Sequence, residues 1–265
     1  MDAHNVPTAC VVQRGHIYGY DNSYIIDSGK KYPGRLLPVV ILDTQHPDTV
    51  DQYTRMVRQD GVRGLRLANT RPSHLDTAWL SSPNAMKIWQ ACVELNTPVA
   101  LIIFYNQLSY VLPLLHIIAK LHPRLPIVID HLGTPYCATL VELAWAKEAG
   151  IAEVSLPPPP DFGIEATIGR FADTPNVYFK FTEVNIENLH RSGIDSSQLI
   201  RSMADRFGAN RLVWGSDIGQ SLRWDFAEKA SMARAACSLL TATESRLFLH
   251  DNAAHLYDAA GKAAR

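Results

Sequence analysis

The sequence predicts an α/β fold of the (β/α)8 barrel type, and three observations carry the prediction. Short apolar runs alternate with helical stretches along the whole chain at spacings of roughly 25–45 residues, the pattern of βαβ units and a parallel sheet. Several of those runs, such as Leu36–Asp43 (LLPVVILD) and Pro98–Tyr105 (PVALIIFY), are continuous, as in strands buried on both faces. The length of 265 residues, without repeats, low-complexity tracts or an evident linker, suits a single barrel domain over 1–265.

In chain order, Ala9–Gln13 (ACVVQ) reads as the first strand. The loop after it, RGHIYGYDN, is dense in functional groups: Arg14, His16, Tyr18, Tyr20, Asp21 and Asn22. A helix is expected over Ser23–Tyr32, stopped by Pro33-Gly34, and a strand over Leu36–Asp43. A helix over Pro47–Gln59 ends at Gly61, and Val62–Leu67 is the third strand. Thr70–Ser82 is mostly loop, Pro83–Asn96 a helix, and Pro98–Tyr105 the fourth strand. The helix over Gln107–His122 places Leu112, Leu115 and Ala119 on one side. Ile127–His131 is the fifth strand and Thr139–Ala149 a helix. The four prolines Pro157–Pro160 force an extended path. Val177–Val184 is the sixth strand, Asp195–Phe207 a helix, and Leu212–Trp214 the seventh strand. Two helical stretches, about 221–240 and 243–260, close the chain. The count is seven strands, so either Ala152–Leu156 supplies an eighth or the barrel lacks its first.

Composition narrows the function classes. With 47% hydrophobic and 19% charged residues the chain can fill a large core. A formal charge of −1 argues against nucleic acid or an acidic membrane surface as partner. No apolar run is long enough to span a bilayer, and the N-terminus lacks a secretory pattern. Cys10, Cys92, Cys137 and Cys237 show no metal-like spacing and read as reduced thiols, so a cytoplasmic location is expected. The expected partners are a small anionic substrate and, in a homo-oligomer, further copies of the chain.

Two strand ends stand out. Ile127–Asp130 runs into His131, and Leu212-Val213-Trp214 runs through Gly215 and Ser216 into Asp217. The carboxyl end of a parallel strand is where barrel enzymes place their chemistry. Strand alternation puts Val177, Phe179 and Phe181 on the helix side, and Tyr178, Lys180 and Thr182 on the interior side. The same alternation aligns Arg66 with Gly64, His131 with Ile129, and Asp217 with Gly215, so that one mouth would collect Arg66, Tyr105, His131, Lys180 and Asp217. An interior of that polarity asks for a ligand. Each residue also has a structural reading. Asp217 after Gly-Ser suits a helix cap, His131 a hydrogen-bonded core histidine, and Arg66 and Lys180 paired charges with Asp43 or Glu183. Asp130, alternating away from His131, reads as structural.

The motifs GYDNSYIID (19–27), YPGRL (32–36), GVRGLRL (61–67), IDHLGTP (129–135), NVYFKF (176–181), RLVWGSD (211–217) and NAAHLY (252–257) occur in an order that resembles the amidohydrolase-related family, in the branch of 2-pyrone-4,6-dicarboxylate hydrolase. The resemblance implies a (β/α)8 barrel with His131 and Asp217 in the catalytic centre. Two departures matter. The His-x-His pair with which the family opens is absent, and GSDIGQ (215–220) stands where the family often has GSDWPH. Catalytic zinc generally takes three protein ligands. The carried-over set is His131 and Asp217, so no tightly bound metal is expected, a single divalent ion at those two being the alternative.

The expected activity is hydrolysis of a small anionic lactone or related ring ester. Asp217 is the general base, and His131 with Tyr105 or Lys180 polarises the carbonyl. Arg66 holds a substrate carboxylate, and His16 and Tyr18 contribute from the first loop. The alternatives are a decarboxylase or other lyase of an aromatic or unsaturated acid, including a Schiff-base route through Lys180, and a non-catalytic family member.

Overall fold

A computed structural model describes residues 1–69, 76–148, 155–219 and 223–262. Among the described residues there are seven strands, β1 (Ala9–Val12), β2 (Leu36–Ile41), β3 (Gly64–Ala68), β4 (Val99–Ile102), β5 (Ile127–Asp130), β6 (Val177–Phe181) and β7 (Leu212–Trp214). They follow one another in chain order in one sheet. The β1–β2, β2–β3, β3–β4 and β6–β7 pairs are parallel. The α-helices are α1 (Gly15–Tyr18), α2 (Ser23–Lys31), α3 (Thr49–Asp60), α4 (Ala78–Ser81), α5 (Pro83–Glu94), α6 (Leu108–Leu121), α7 (Leu140–Glu148), α8 (Ile164–Thr167), α9 (Glu183–Arg191), α10 (Ser196–Phe207), α11 (Phe226–Ala235), α12 (Ala242–Arg246) and α13 (Asn252–Lys262). No helix among the described residues is long and apolar enough to cross a membrane.

The chain forms two compact units. The first comprises Met1–Ile102, Ile118–Val128 and the chain from Ala254 onward, and the second Ile103–Ile117 and Ile129–Ala253. In the first, β3 lies between β2 and β4, with Arg66 opposite Ile41 on one side and Ala100 on the other. Val39, Val40, Leu65, Val99 and Leu101 are buried, as continuous apolar runs require. Asn22 is a structural clamp: its side chain donates to the Ile41 carbonyl at 2.8 Å and accepts from the Ile41 N–H at 2.9 Å. It thereby fixes the loop 19–22 to the end of β2. Ser82 caps α5, with Pro83 at its first position, where a missing N–H costs nothing.

In the second unit β6 alternates as read from the sequence: Val177, Phe179 and Phe181 are buried, Tyr178 and Lys180 half-buried. Arg211, next to the apolar β7, is held rather than exposed. Its guanidinium donates to Val177 O (2.7 Å) and Phe171 O (2.9 Å), and it lies 5.4 and 5.3 Å from the Phe179 and Phe207 ring centres. Burial pushes its pKa down to about 10, which leaves it a cation at neutral pH. Asn252 of the NAAHLY motif donates to Ala209 O and Leu212 O, anchoring the start of β7.

Several boundaries differ from the sequence expectation. β4 ends at Ile102, so Tyr105 is not a strand residue; it opens a 3-10 turn, Tyr105–Gln107. β5 ends at Asp130 and β7 at Trp214, so strand alternation does not extend to His131 or Asp217. The sixth strand stops at Phe181 because Thr182 becomes the N-cap of α9, a helix the sequence reading did not contain. RGHIYGYDN contains the short α1. Of the candidate eighth strand, Ala152–Val154 lie outside the described residues and Ser155–Leu156 are irregular.

Candidate active site

Each of the two residues that led the sequence argument has left-handed backbone. His131 has φ +57° and Asp217 φ +48°. For a residue with a Cβ this costs roughly 1–2 kcal/mol and recurs where a fold orients functional groups. At His131 the strain continues through Leu132 (φ +63°) and Gly133 (φ +69°). A side chain at Gly133 would also meet Ile129 at 2.9 Å, so glycine is required there. The turn is held from α9: Asn185 Nδ2 donates to the carbonyls of His131 (3.0 Å) and Tyr136 (3.1 Å). Asn188 Nδ2 donates to Tyr136 and Ala138. The proline run packs here too, with the Tyr136 hydroxyl donating to Pro157 O at 3.0 Å.

The His131 ring is buried, with Nδ1 2.6 Å from the Thr182 hydroxyl. Thr182 is itself fixed, because its N–H donates to Asn185 Oδ1. Where Nδ1 accepts from that hydroxyl, Nε2 carries the imidazole proton. Lys180 Nζ lies 2.6 Å from Asp130 Oδ1, the side chains being 14% and 3% exposed. Asp130 is therefore the charge partner of Lys180, in place of the Glu183 or Asp43 considered from the sequence. The Lys180 stem passes over Gly215, where a Cβ would lie 3.0 Å from its Cδ and 3.7 Å from Thr182 Cγ2. The glycine of Gly-Ser-Asp thus lets the ends of β6 and β7 close on each other. Two residues on, Asp217 is half-buried and its Oδ2 is buried with no hydrogen-bond partner among the described residues. A second ion pair, Lys229 Nζ to Glu183 Oε2 at 2.6 Å, is almost wholly buried and ties α11 to α9. Tyr105 belongs to this unit, its N–H donating to Glu142 Oε1 at 2.8 Å.

The first unit carries a separate cationic group. Arg14 Nη2 lies 3.2 Å from His16 Nε2, and His16 is close enough to Arg66 to feel its charge. Partial burial, then Arg14 and Arg66, hold the His16 imidazole below its usual pKa. Tyr18 does not join this group; it is exposed and stacks on Tyr24, ring centres 6.0 Å apart. The sequence reading took Asp130 as structural and gave no specific role to Arg14, Thr182 or Asn185. For the last two a signal existed, the Thr-x-x-Asn spacing at a strand-to-helix junction.

Among the described residues no three His, Cys, Asp or Glu side chains converge, and His131 and Asp217 supply at most two ligands.

A family model described as amidohydrolase matches residues 1–259. L-Fucono-1,5-lactonase of Burkholderia ambifaria is 25% identical over 201 residues, which are 74% of this chain and 60% of that protein. The match thus spans three fifths of that relative's length. The structure of a probable 2-pyrone-4,6-dicarboxylic acid hydrolase from Acinetobacter baumannii, with citric acid bound, superposes with a TM-score of 0.67 at 20% identity. It covers 97% of this chain and 85% of its own. A 5-carboxyvanillate decarboxylase from Novosphingobium aromaticivorans, complexed with manganese and a nitrobenzoic acid, gives 0.65 at 19% identity, covering 97% and 78%. At these identities the structural likeness speaks to the fold alone, and it agrees with the α/β barrel class.

Proposed function

Since the chain belongs to the amidohydrolase family, we propose that it is a hydrolase opening a small anionic lactone, with Asp217 as general base and without a tightly bound metal. One observation carries the reading: a carboxylate oxygen of Asp217 is buried just beyond β7 with no donor among the described residues. An unsatisfied buried acceptor is costly and persists where it has work to do. A water donating to Oδ2 would satisfy it and be turned into a nucleophile as its proton passes to the carboxylate.

The water oxygen then bonds to the lactone carbonyl carbon, and the carbonyl electrons move to oxygen. His131, with Nδ1 taken by Thr182, would donate from Nε2 to that oxyanion, the Thr182 hydroxyl donating to Nδ1 to set this tautomer. Lys180 adds positive charge beside it. Collapse of the oxyanion breaks the ring C–O bond, and Asp217 returns its proton to the leaving alkoxide. The product is a hydroxy acid. In the first unit, Arg66 with Arg14 and His16 is the group we assign to carboxylate binding. L-Fucono-1,5-lactonase, as a relative, supports lactone chemistry.

Decarboxylation is the second reading, favoured by the likeness to the decarboxylase fold. Its Schiff-base variant would need a neutral Lys180 amine, whereas Asp130 at 2.6 Å favours the ammonium form. Borohydride trapping with a carbonyl acid tests that variant. A panel of carboxylated lactones, assayed by acid release with chelator-treated enzyme and with Asp217→Asn as control, tests the main reading.

A further inference from the structure

The ion pair of Lys229 on α11 with Glu183 on α9 has no part in the chemistry above, yet its side chains are only 1% and 4% exposed. Burial of this kind needs a reason. Taking both charges out of water offsets most of what their attraction gains, and an apolar pair of similar volume holds two helices together about as well. What the ion pair adds is direction. The hydrogen bond from Lys229 Nζ to Glu183 Oε2, at 2.6 Å, is made in one register of the two helices, whereas apolar side chains tolerate several.

The register fixed in this way is that of the first turn of α9. Glu183 is the first residue of that helix, and Thr182 before it is the N-cap. The same turn carries Asn185, which holds the His131 carbonyl. The Thr182 hydroxyl meets His131 Nδ1 at 2.6 Å, and Thr182 Cγ2 lies 3.7 Å from where a Cβ on Gly215 would stand. A slide of α9 by about 1 Å would carry that hydroxyl out of hydrogen-bonding range. At the other end of the pair, α11 packs on β7 through Phe226 and Trp214, ring centres 6.3 Å apart, and β7 leads into Asp217. One buried pair thus joins the helix that aims His131 to the helix that backs the strand of Asp217.

We propose that Lys229 and Glu183 are positioning residues for catalysis: by fixing α9 against α11 they hold Thr182 on the His131 ring. The inference rests on the lactonase reading for the part His131 plays in turnover, but the placement of the ring is measured separately.

The double variant Lys229→Met with Glu183→Leu tests it. Apolar side chains replace both charges, so none is left stranded, and the urea midpoint should stay close to wild type. On the best lactone of the panel kcat should fall about fivefold to tenfold with KM within about twofold. Adding Thr182→Val should cost little more, because both changes remove one contact. NMR of the ring nitrogens, with the His131 signal identified by its loss in His131→Gln, reads the placement directly. The double variant should shift that signal in the direction that Thr182→Val does, which a pair that only stabilises the fold would not. Lys229→Leu with Glu183→Met serves if the first pair does not fold. A His131 signal unmoved in a folded double variant, or a loss of kcat that multiplies with that of Thr182→Val, would overturn the proposal. So would failure of both apolar pairs to fold, which would make the charges a requirement of folding. A shifted ring signal in an enzyme that hydrolyses no lactone would sink the lactonase reading and leave the placement of His131 by this pair standing. Lactone hydrolysis with an unmoved signal would do the reverse.

Discussion

The Thr182 hydroxyl lies 2.6 Å from Nδ1 of His131, so the residue that ends β6 sets the ring at the end of β5. Thr182→Ser keeps this contact and Thr182→Val removes it at nearly constant shape. A hydrogen bond of this kind contributes about 0.5–1.5 kcal/mol, and loss of the correct tautomer adds to that. Thr182→Val should lower kcat about tenfold with little change in KM, while Thr182→Ser stays near wild type. Steady-state kinetics on the best lactone of the panel checks it. Equal rates for the two variants would make the contact a packing detail.

Lys180 and Asp130 should behave as a unit. Lys180→Met would strand the Asp130 carboxylate in the interior, and removal of one member of a buried pair costs about 3–5 kcal/mol. Urea denaturation should show that loss for Lys180→Met, whereas the double change Lys180→Met with Asp130→Leu should recover much of it. A double variant as weak as the single would mean the pair is not what holds these two strand ends.

Much of this was legible before the structure, and the failures have a common cause. β6 obeyed alternation because Phe179 and Phe181 enter a core that rewards it. Arg66 could be placed because it lies inside β3. His131, Asp217 and Tyr105 could not be placed by alternation, because each lies beyond its strand, the first two on positive φ that no periodicity reveals. The chemistry of strand ends drew attention to His131 and Asp217, and the local structure at β5 and β6 rests on partners distant in sequence. Asn185 is 54 residues from the His131 carbonyl it holds, and Lys180 is 50 from Asp130. Tyr18 shows the converse, since a functional-looking loop residue spends its ring on Tyr24.

His16 should stay neutral at neutral pH and report on its neighbours. Its pKa is lowered on folding by partial burial and then by Arg14 and Arg66. For a base with a lowered folded pKa, the unfolded chain takes up the proton first as pH falls below about 6.5. Stability from this group is therefore intact above that value and declines as pH drops toward the folded pKa. Arg14→Ala should raise the His16 pKa, read from its ring resonance in an NMR titration. An unchanged pKa would remove Arg14 from the anion-binding group.

Arg66 and Arg63 provide an internal control on β3. Arg66 lies within the strand, opposite Ile41 and Ala100, whereas Arg63 precedes it, its N–H bound to Pro38 O. Arg66→Ala should raise KM for a carboxylated lactone by one to two powers of ten, about 1.5–3 kcal/mol for a charged hydrogen bond, with a smaller change in kcat. Arg63→Ala should leave KM within about twofold. Matching effects would show that Arg66 does not hold the substrate.

Asp217 is the decisive position. Its Oδ2 is buried without a donor among the described residues, while a half-buried side chain leaves room for water or substrate to approach. If the carboxylate were only the cap of a following helix, its oxygens would be bound to backbone N–H groups. The next helix among the described residues, α11, is capped by Asp225, whose side chain accepts from Glu228 N–H at 2.8 Å. For α11 the capping role is thus filled by Asp225. Asp217→Asn preserves size and removes the base, so kcat should fall about 10²–10⁴-fold, the usual contribution of general acid–base catalysis. Binding of an unreactive hydroxy-acid product should change little, because the cations assigned to the substrate carboxylate are untouched. Circular dichroism on the same preparation establishes that the variant is folded. Near-normal turnover by folded Asp217→Asn would show that water is activated elsewhere and that the mechanism proposed for this site is wrong.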